Sequence, residues 1–412
     1  MYQEKEKLFE SNYRKKSYKS RYLKEEFGIN KKHFILFFLI IIGLYFFFFL
    51  FFSYFIFSKI NKIKIYSNDL EERIKKIEEK LNEFNNNNNT NQKRIVNENE
   101  NQNETEKELI FDEFNHNINE QLIKEQNNFC ENENLFYNEK FEEKILKANA
   151  NFLNLSFDIY VYKKKDVVSD NIIKNKNWEA DSTKNLLDAL NYYSNLHNIK
   201  KEDIYVIDIG ANIGWYTLSL GKFGYKILSF EPSEINFYIL KKNFCLNKDI
   251  NITLIKKGLF NEEKKCEYYM SNIDIGDGWV ICDKNVTLPK DLVRTGDIIL
   301  TKLNNYIPFL SKNNIAAIKI DVEGSEGKAI EGGIELITKY HVPFIFLEFT
   351  PKSLKLHGTD PKEFLLLFEN NGYKFCLNNF FDKNHLSADD IIKKNYGLIN
   401  LYIVYLQILD TL

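Results

Sequence analysis

Net charge and closely spaced cysteines are what this chain has least of. Its 412 residues carry 56 Lys/Arg against 58 Asp/Glu, a formal charge of −2. A balance that near zero gives no overall pull toward nucleic acid. The five cysteines, Cys130, Cys245, Cys266, Cys282 and Cys376, include no C-x-x-C pair, so the usual spacing for a zinc site or a redox dithiol is missing. They read as mostly buried small apolar residues, with one or two disulfides at most, whose pairing sequence cannot give. Proline is scarce at 6 residues, while Asn, Lys, Ile and Phe are heavily used. That bias often reflects an AT-rich genome, so asparagine abundance alone carries no argument. The length exceeds one compact domain of ordinary size, and two or more regions are expected.

Charge is absent altogether from Phe34 to Phe57. A helix of that length spans roughly 36 Å, enough for the hydrocarbon core of a bilayer. The sequence thus predicts a basic cytosolic tail at 1–32 and a transmembrane helix at 33–58. The run is too long for a signal-peptide core, and Phe57-Ser58-Lys59 is not a small-residue cleavage site. Ten Lys/Arg and five Glu precede it, whereas Lys59 to Phe84 carries seven basic and six acidic residues. The asymmetry favours a single-pass type II protein with its C-terminal part in the lumen of the ER or Golgi.

Within 59–84, Ile60, Ile63, Ser67, Leu70, Ile74, Ile77, Leu81 and Phe84 recur at spacings of three and four. The pattern reads as a coiled-coil stem that would make a homodimer, or as a single amphipathic helix. Residues 85–139 read as an Asn-rich flexible linker, too poor in apolar residues to offset the entropy of ordering. N-x-S/T sites at Asn88, Asn103, Asn154, Asn251 and Asn285 suit a luminal location. Asn251 opens a predicted core strand, where a glycan would fit poorly.

Residues 140–412 hold the chemistry. An apolar run from Ile204 meets Asp208-Ile209-Gly210-Ala211-Asn212-Ile213-Gly214, and an amphipathic segment follows. That is strand, tight glycine turn, helix. Glu231 closes the next apolar run, where a carboxylate can accept hydrogen bonds from ribose hydroxyls. A dinucleotide fingerprint would read G-x-G-x-x-G, but Trp215 stands in the place of its last glycine. That bulk argues against a diphosphate and for S-adenosylmethionine, which has a ribose, an adenine and an ammonium but no phosphate. Asp208 is suited to bind that ammonium or to orient the turn. Asn212 and Gly214 shape the turn, and Gly258 could edge the adenine or simply turn the chain.

Val206–Leu218 (VIDIGANIGWYTL), Phe230-Glu231-Pro232, Asn236, Asn243 with Asn247, and Ile318–Gly324 (IKIDVEG) together resemble the FkbM-type methyltransferases. The resemblance covers roughly Phe157 to Leu406. It implies a class I S-adenosylmethionine-dependent methyltransferase, mostly acting on oxygen. One departure is visible. The family commonly carries T-x-L-D ahead of its D-V-E-G strand, and this chain reads Thr301-Lys302-Leu303-Asn304.

Strands alternating with helices predict an α/β, Rossmann-like sheet, mainly parallel with an antiparallel edge. A loop-rich insertion is expected at 261–300 and a single helix at 326–339. Along a strand, Lys319, Asp321 and Glu323 would share one face. Asp321 or Glu323 could serve as base or position the acceptor, or these charges could cap the following helix. Nothing in their spacing demands a metal. His341 and His357 are expected near the same rim, and Asn272 to Trp279 (NIDIGDGW) reads as an acceptor-binding loop or a surface hairpin. The expectation is an anchored O-methyltransferase for a small-molecule or glycan hydroxyl. The alternatives are an inactive scaffold of the same fold and, less favoured, an NAD-dependent oxidoreductase.

Overall fold

The computed structural model describes residues 123–132, 136–276, 278–282, 288, 290–310, 314–394 and 396–409. The apolar run, the stem and the linker up to residue 122 lie outside these residues, as do the sequons at Asn88, Asn103 and Asn285. Among the described residues no helix is long and apolar enough to cross a membrane.

Short apolar segments separated by helices form one seven-stranded sheet. Its strands are β3 (Ile204–Ile209), β4 (Lys226–Phe230), β5 (Ile252–Ile255), β10 (Asn314–Ile320), β11 (Phe344–Phe349), β12 (Tyr373–Cys376) and β13 (Ile399–Tyr405). They lie in the order β12-β13-β11-β10-β3-β4-β5. The five strands from β11 to β5 run parallel. They are buried on both faces, which is why they read as continuous apolar runs rather than alternating ones. The antiparallel edge is present, with β13 slotted between β11 and β12 and antiparallel to both.

One face is covered by the helices Ala180–His197, Trp215–Gly221 and Glu234–Leu246, and by the hairpin β1 (Ile145–Phe152) and β2 (Leu155–Tyr162), around Phe152, Trp215 and Leu240. The other face packs Phe230, Ile330, Phe349 and Phe368. Chain order reverses direction between β3 and β10. In such sheets that reversal leaves a crevice beyond the strands' carboxyl ends.

Four expectations need correction. The stretch 261–300 is not loop-rich: β6 (Gly258–Leu259), β7 (Lys264–Ser271), β8 (Gly278–Ile281) and β9 (Leu292–Thr301) make a second, four-stranded sheet. Its β7 alternates buried and partly exposed residues and contains few aliphatics, so its apolar signal is weak. The helix expected at 326–339 is two, Glu326–Glu331 and Ile334–Lys339. It breaks at Gly332, where a Cβ would lie 1.9 Å from the carbonyl oxygen of Phe260.

The linker also ends earlier than residue 139. Residues 123–131 are helical, and Phe129 is buried in the core. The Gln126 side chain donates to the carbonyl of Ile252 and accepts from the amide of Leu254. Cys130 is bonded to Cys245, and Cys266 to Cys282. Four of the five cysteines are therefore not the small apolar fillers expected; Cys376 is free and buried.

Candidate active site

The site is built where β3 and β10 end side by side. Gly210 has φ 77°, Asn212 50° and Gly214 97°. The amides of Gly210 and Ala211 both donate to the carbonyl of Phe230, hanging the turn on the end of β4. A Cβ at residue 210 would lie 1.8 Å from the carbonyl oxygen of Asp321. With a positive φ as well, only glycine fits.

Glu231 is buried directly beyond β4. One carboxylate oxygen accepts from the amide of Asn212 and the other from that of Ser233, both at 2.8 Å. Burial pushes its carboxyl up to about 7, against those two bonds. A carboxylate has acceptor capacity beyond those two bonds, which ribose hydroxyls can use.

Asp208 is sealed under the turn. It accepts from the Thr217 hydroxyl at 2.6 Å, and its other oxygen lies 3.7 Å from the Lys319 ammonium. That placement makes it a brace for the turn. Lys319 is buried, donates to the carbonyl of Gly210 at 2.8 Å and stands 3.5 Å from Asp321. Burial opposes its charge, but Asp321, Asp208 and Glu179 outweigh that and hold the ammonium above its ordinary value. Asp321 keeps 44% of its side chain exposed.

Glu323 does not share the pleat expected of it. β10 ends at Ile320, and Glu323 sits in a turn at φ 54°. Glu326 accepts from the amides of Val322 and Gly324, tightening that turn, and burial pushes its carboxyl to about 7.

Together these elements line a cleft, with Gly210, Asn212, Glu231, Gly258 and Asp321 among its walls. Tyr268, Val280 and Ser325 complete it. Sequence reasoning missed these three, because strands of the second sheet bring the first two to the cleft. The Ser325 hydroxyl and the Asn212 side-chain oxygen are buried with no hydrogen-bond partner. The stretch read as an acceptor loop or a surface hairpin joins the paired strands β7 and β8, and Cys266–Cys282 clips their base. Trp279 lies 5.5 Å from His357. Burial lowers the His357 imidazole below its ordinary value. His341 is not at this rim. It precedes β11 and stacks on Tyr405 at 4.9 Å, at the strands' opposite end.

The remaining asparagines of the motif set are structural. Asn243 bonds both the amide and the carbonyl of Tyr160 and the carbonyl of Ile213. Asn247 donates to Asp158, and Asn236 accepts from the Tyr162 hydroxyl. They fasten β2 to the helix Glu234–Leu246. Asn304 accepts from the amide of Leu336, in the first turn of the helix Ile334–Lys339. Asn and Asp serve that end equally well, so the departure at this position costs the fold nothing.

Residues 208–375 match the model of the methyltransferase FkbM domain. The matched segment starts at Asp208 in the glycine turn, includes Glu231 and the Asp321 strand end, and closes on β12. None of the curated proteins matches the chain. Among solved structures, the bifunctional kinase-methyltransferase WbdD is 12% identical, with 54% of this chain and 39% of WbdD covered and a TM-score of 0.32. The chain thus spans about two-fifths of WbdD. Magnesium protoporphyrin IX methyltransferase (ChlM) from Synechocystis PCC 6803 with bound SAM is 11% identical, with 58% and 84% covered and a TM-score of 0.30. The T. thermophilus 16S rRNA methyltransferase RsmC is 12% identical, with 63% and 50% covered and a TM-score of 0.29. Likeness at this level carries no argument about chemistry.

The methyl donor of a methyltransferase FkbM domain is S-adenosylmethionine, and the cleft fits it. Glu231 offers acceptors to the ribose, the turn at Gly210 admits close backbone approach, and Gly258 lies along the same wall.

Proposed function

We propose that the chain is a membrane-anchored S-adenosylmethionine-dependent O-methyltransferase whose acceptor is a hydroxyl of a glycan or glycoconjugate. The observation that carries the chemistry is the pairing of a glycine-only turn at Gly210 with the buried Glu231 carboxylate across one cleft. S-adenosylmethionine supplies an electrophilic methyl group when bound. The protein's own share is to hold the ribose at Glu231, keep the turn in place through Lys319 and Asp208, and receive the hydroxyl proton at a rim carboxylate.

The anchor rests on the uncharged run at 34–57. A luminal location is supported by two disulfides, which persist in oxidising compartments. Asn154 and Asn251 are both exposed. Asn251 precedes β5 rather than lying within it, so a glycan there meets no core.

Isothermal titration of the full chain with S-adenosylmethionine tests the reading, with Glu231→Ala as control. Labelled methyl transfer to extracted glycans, reduced in that variant at limiting S-adenosylmethionine, is the expected activity. Absence of binding to the folded wild-type chain would overturn the proposal.

A further inference from the structure

Among the carboxyl groups at the rim, Glu348 differs from its neighbours in having nothing to hold. Parallel pairing of Ile320 with Leu347 brings Asp321, just past the end of β10, beside Glu348, the next-to-last residue of β11. Glu348 faces the same side of the sheet as Phe346, which contacts Tyr216, and Lys319, which lies 5.3 Å over the same ring. Asp208, the glycine turn and Asp321 are on that side too.

The other charged and titratable groups around it are engaged. Asp321, on β10, pairs with Lys319 at 3.5 Å. Glu179, leading into the helix Ala180–His197, accepts from the Tyr216 hydroxyl of the helix Trp215–Gly221. Glu326, from the helix after β10, accepts two backbone amides. On β13 the register partner is Asn400, which donates to Ser182 instead. Among the described residues Glu348 makes no hydrogen bond and no ion pair.

We propose that Glu348 is the catalytic base: the half-buried carboxylate beside Asp321 that takes the acceptor's hydroxyl proton. The inference rests on the proposed methyl transfer. As the acceptor oxygen forms its bond to the methyl carbon, the carbon–sulfur bond breaks with its electron pair going to sulfur. The hydroxyl proton passes to the Glu348 carboxylate, and charge balances without a further reactant. Asp321 is already engaged with Lys319 at 3.5 Å, whereas the Glu348 carboxylate is not. Burial, with Asp321, Glu179 and Glu326 nearby, pushes Glu348 up to about 7, where a base works best near neutral pH.

The test needs no acceptor. S-adenosylmethionine carries a sulfonium charge and S-adenosylhomocysteine does not, while both carry the same ribose for Glu231. Titrating each into the full chain at pH 7, in buffers of different ionisation enthalpy, counts the protons released. The cationic ligand should release up to about half a proton more than the neutral one. Glu348→Gln should abolish that excess. An absent excess in the wild-type chain, or one that survives Glu348→Gln, overturns the assignment of Glu348 and leaves the cofactor reading standing. Failure of both ligands to bind overturns the cofactor reading and this assignment with it.

Discussion

The Lys319 ammonium donates to the carbonyl oxygen of Gly210 at 2.8 Å, so one strand end holds the other strand's turn in shape. The same ammonium is the counter-charge for Asp208, which is buried. Lys319→Met should therefore cost about 3–5 kcal/mol, the usual penalty for stranding a buried charge. Urea denaturation reads it directly. A loss below about 1 kcal/mol would mean that the turn does not depend on this brace.

Glu231→Ala should weaken S-adenosylmethionine binding by about thirtyfold, equivalent to about 2 kcal/mol for hydrogen bonds to a charged acceptor. It should also lower the melting temperature, because the amides of Asn212 and Ser233 lose their acceptor. Glu231→Gln keeps one carbonyl acceptor and should fall between wild type and alanine in both titration calorimetry and thermal melts.

Stability should fall as pH rises. Burial holds Glu231, Glu326 and Glu348 up to about 7 and Asp166 up to about 6. Their unfolded values lie near 4. Between about pH 4 and 7 the folded chain thus binds more protons than the unfolded one. Their contribution is fully present below the unfolded values and is lost as pH passes the folded ones. For Glu231 alone the loss is on the order of 3 kcal/mol. Urea midpoints without ligand should decline from pH 5 to pH 8, and Glu231→Gln should flatten that decline. A midpoint rising over the same range would contradict the burial of these groups.

Asn304→Asp should leave stability within about 0.5 kcal/mol of wild type, and Asn304→Ala should cost about 1 kcal/mol through loss of the bond to Leu336. Chemical denaturation distinguishes the two. Equal losses in both variants would show that the side chain does something other than cap the helix.

Much of this was legible because parallel strands leave a local mark. Ile204 to Ile207 and Ile315 to Ile318 are apolar throughout, and the glycine at 210 marks a turn with positive φ. Glu231 was legible because it closes the next apolar run. Tyr268 and Val280 were not, since β7 and β8 carry weak patterns and reach the cleft only through tertiary pairing. Glu323 was misplaced because nothing in D-V-E-G marks where the pleat stops. The pairing of Cys130 with Cys245 spans 115 residues, and no local periodicity reports on contacts that distant.

That last cross-link has a mechanical consequence. A pull on the chain upstream of residue 123 reaches Cys130 within a few residues and crosses into the helix Glu234–Leu246 through a covalent bond. The load enters the middle of the sheet's cover rather than peeling the hairpin β1–β2 from its outer side. Tension along the N-terminal stretch can therefore vary without unzipping the strands that frame the cleft.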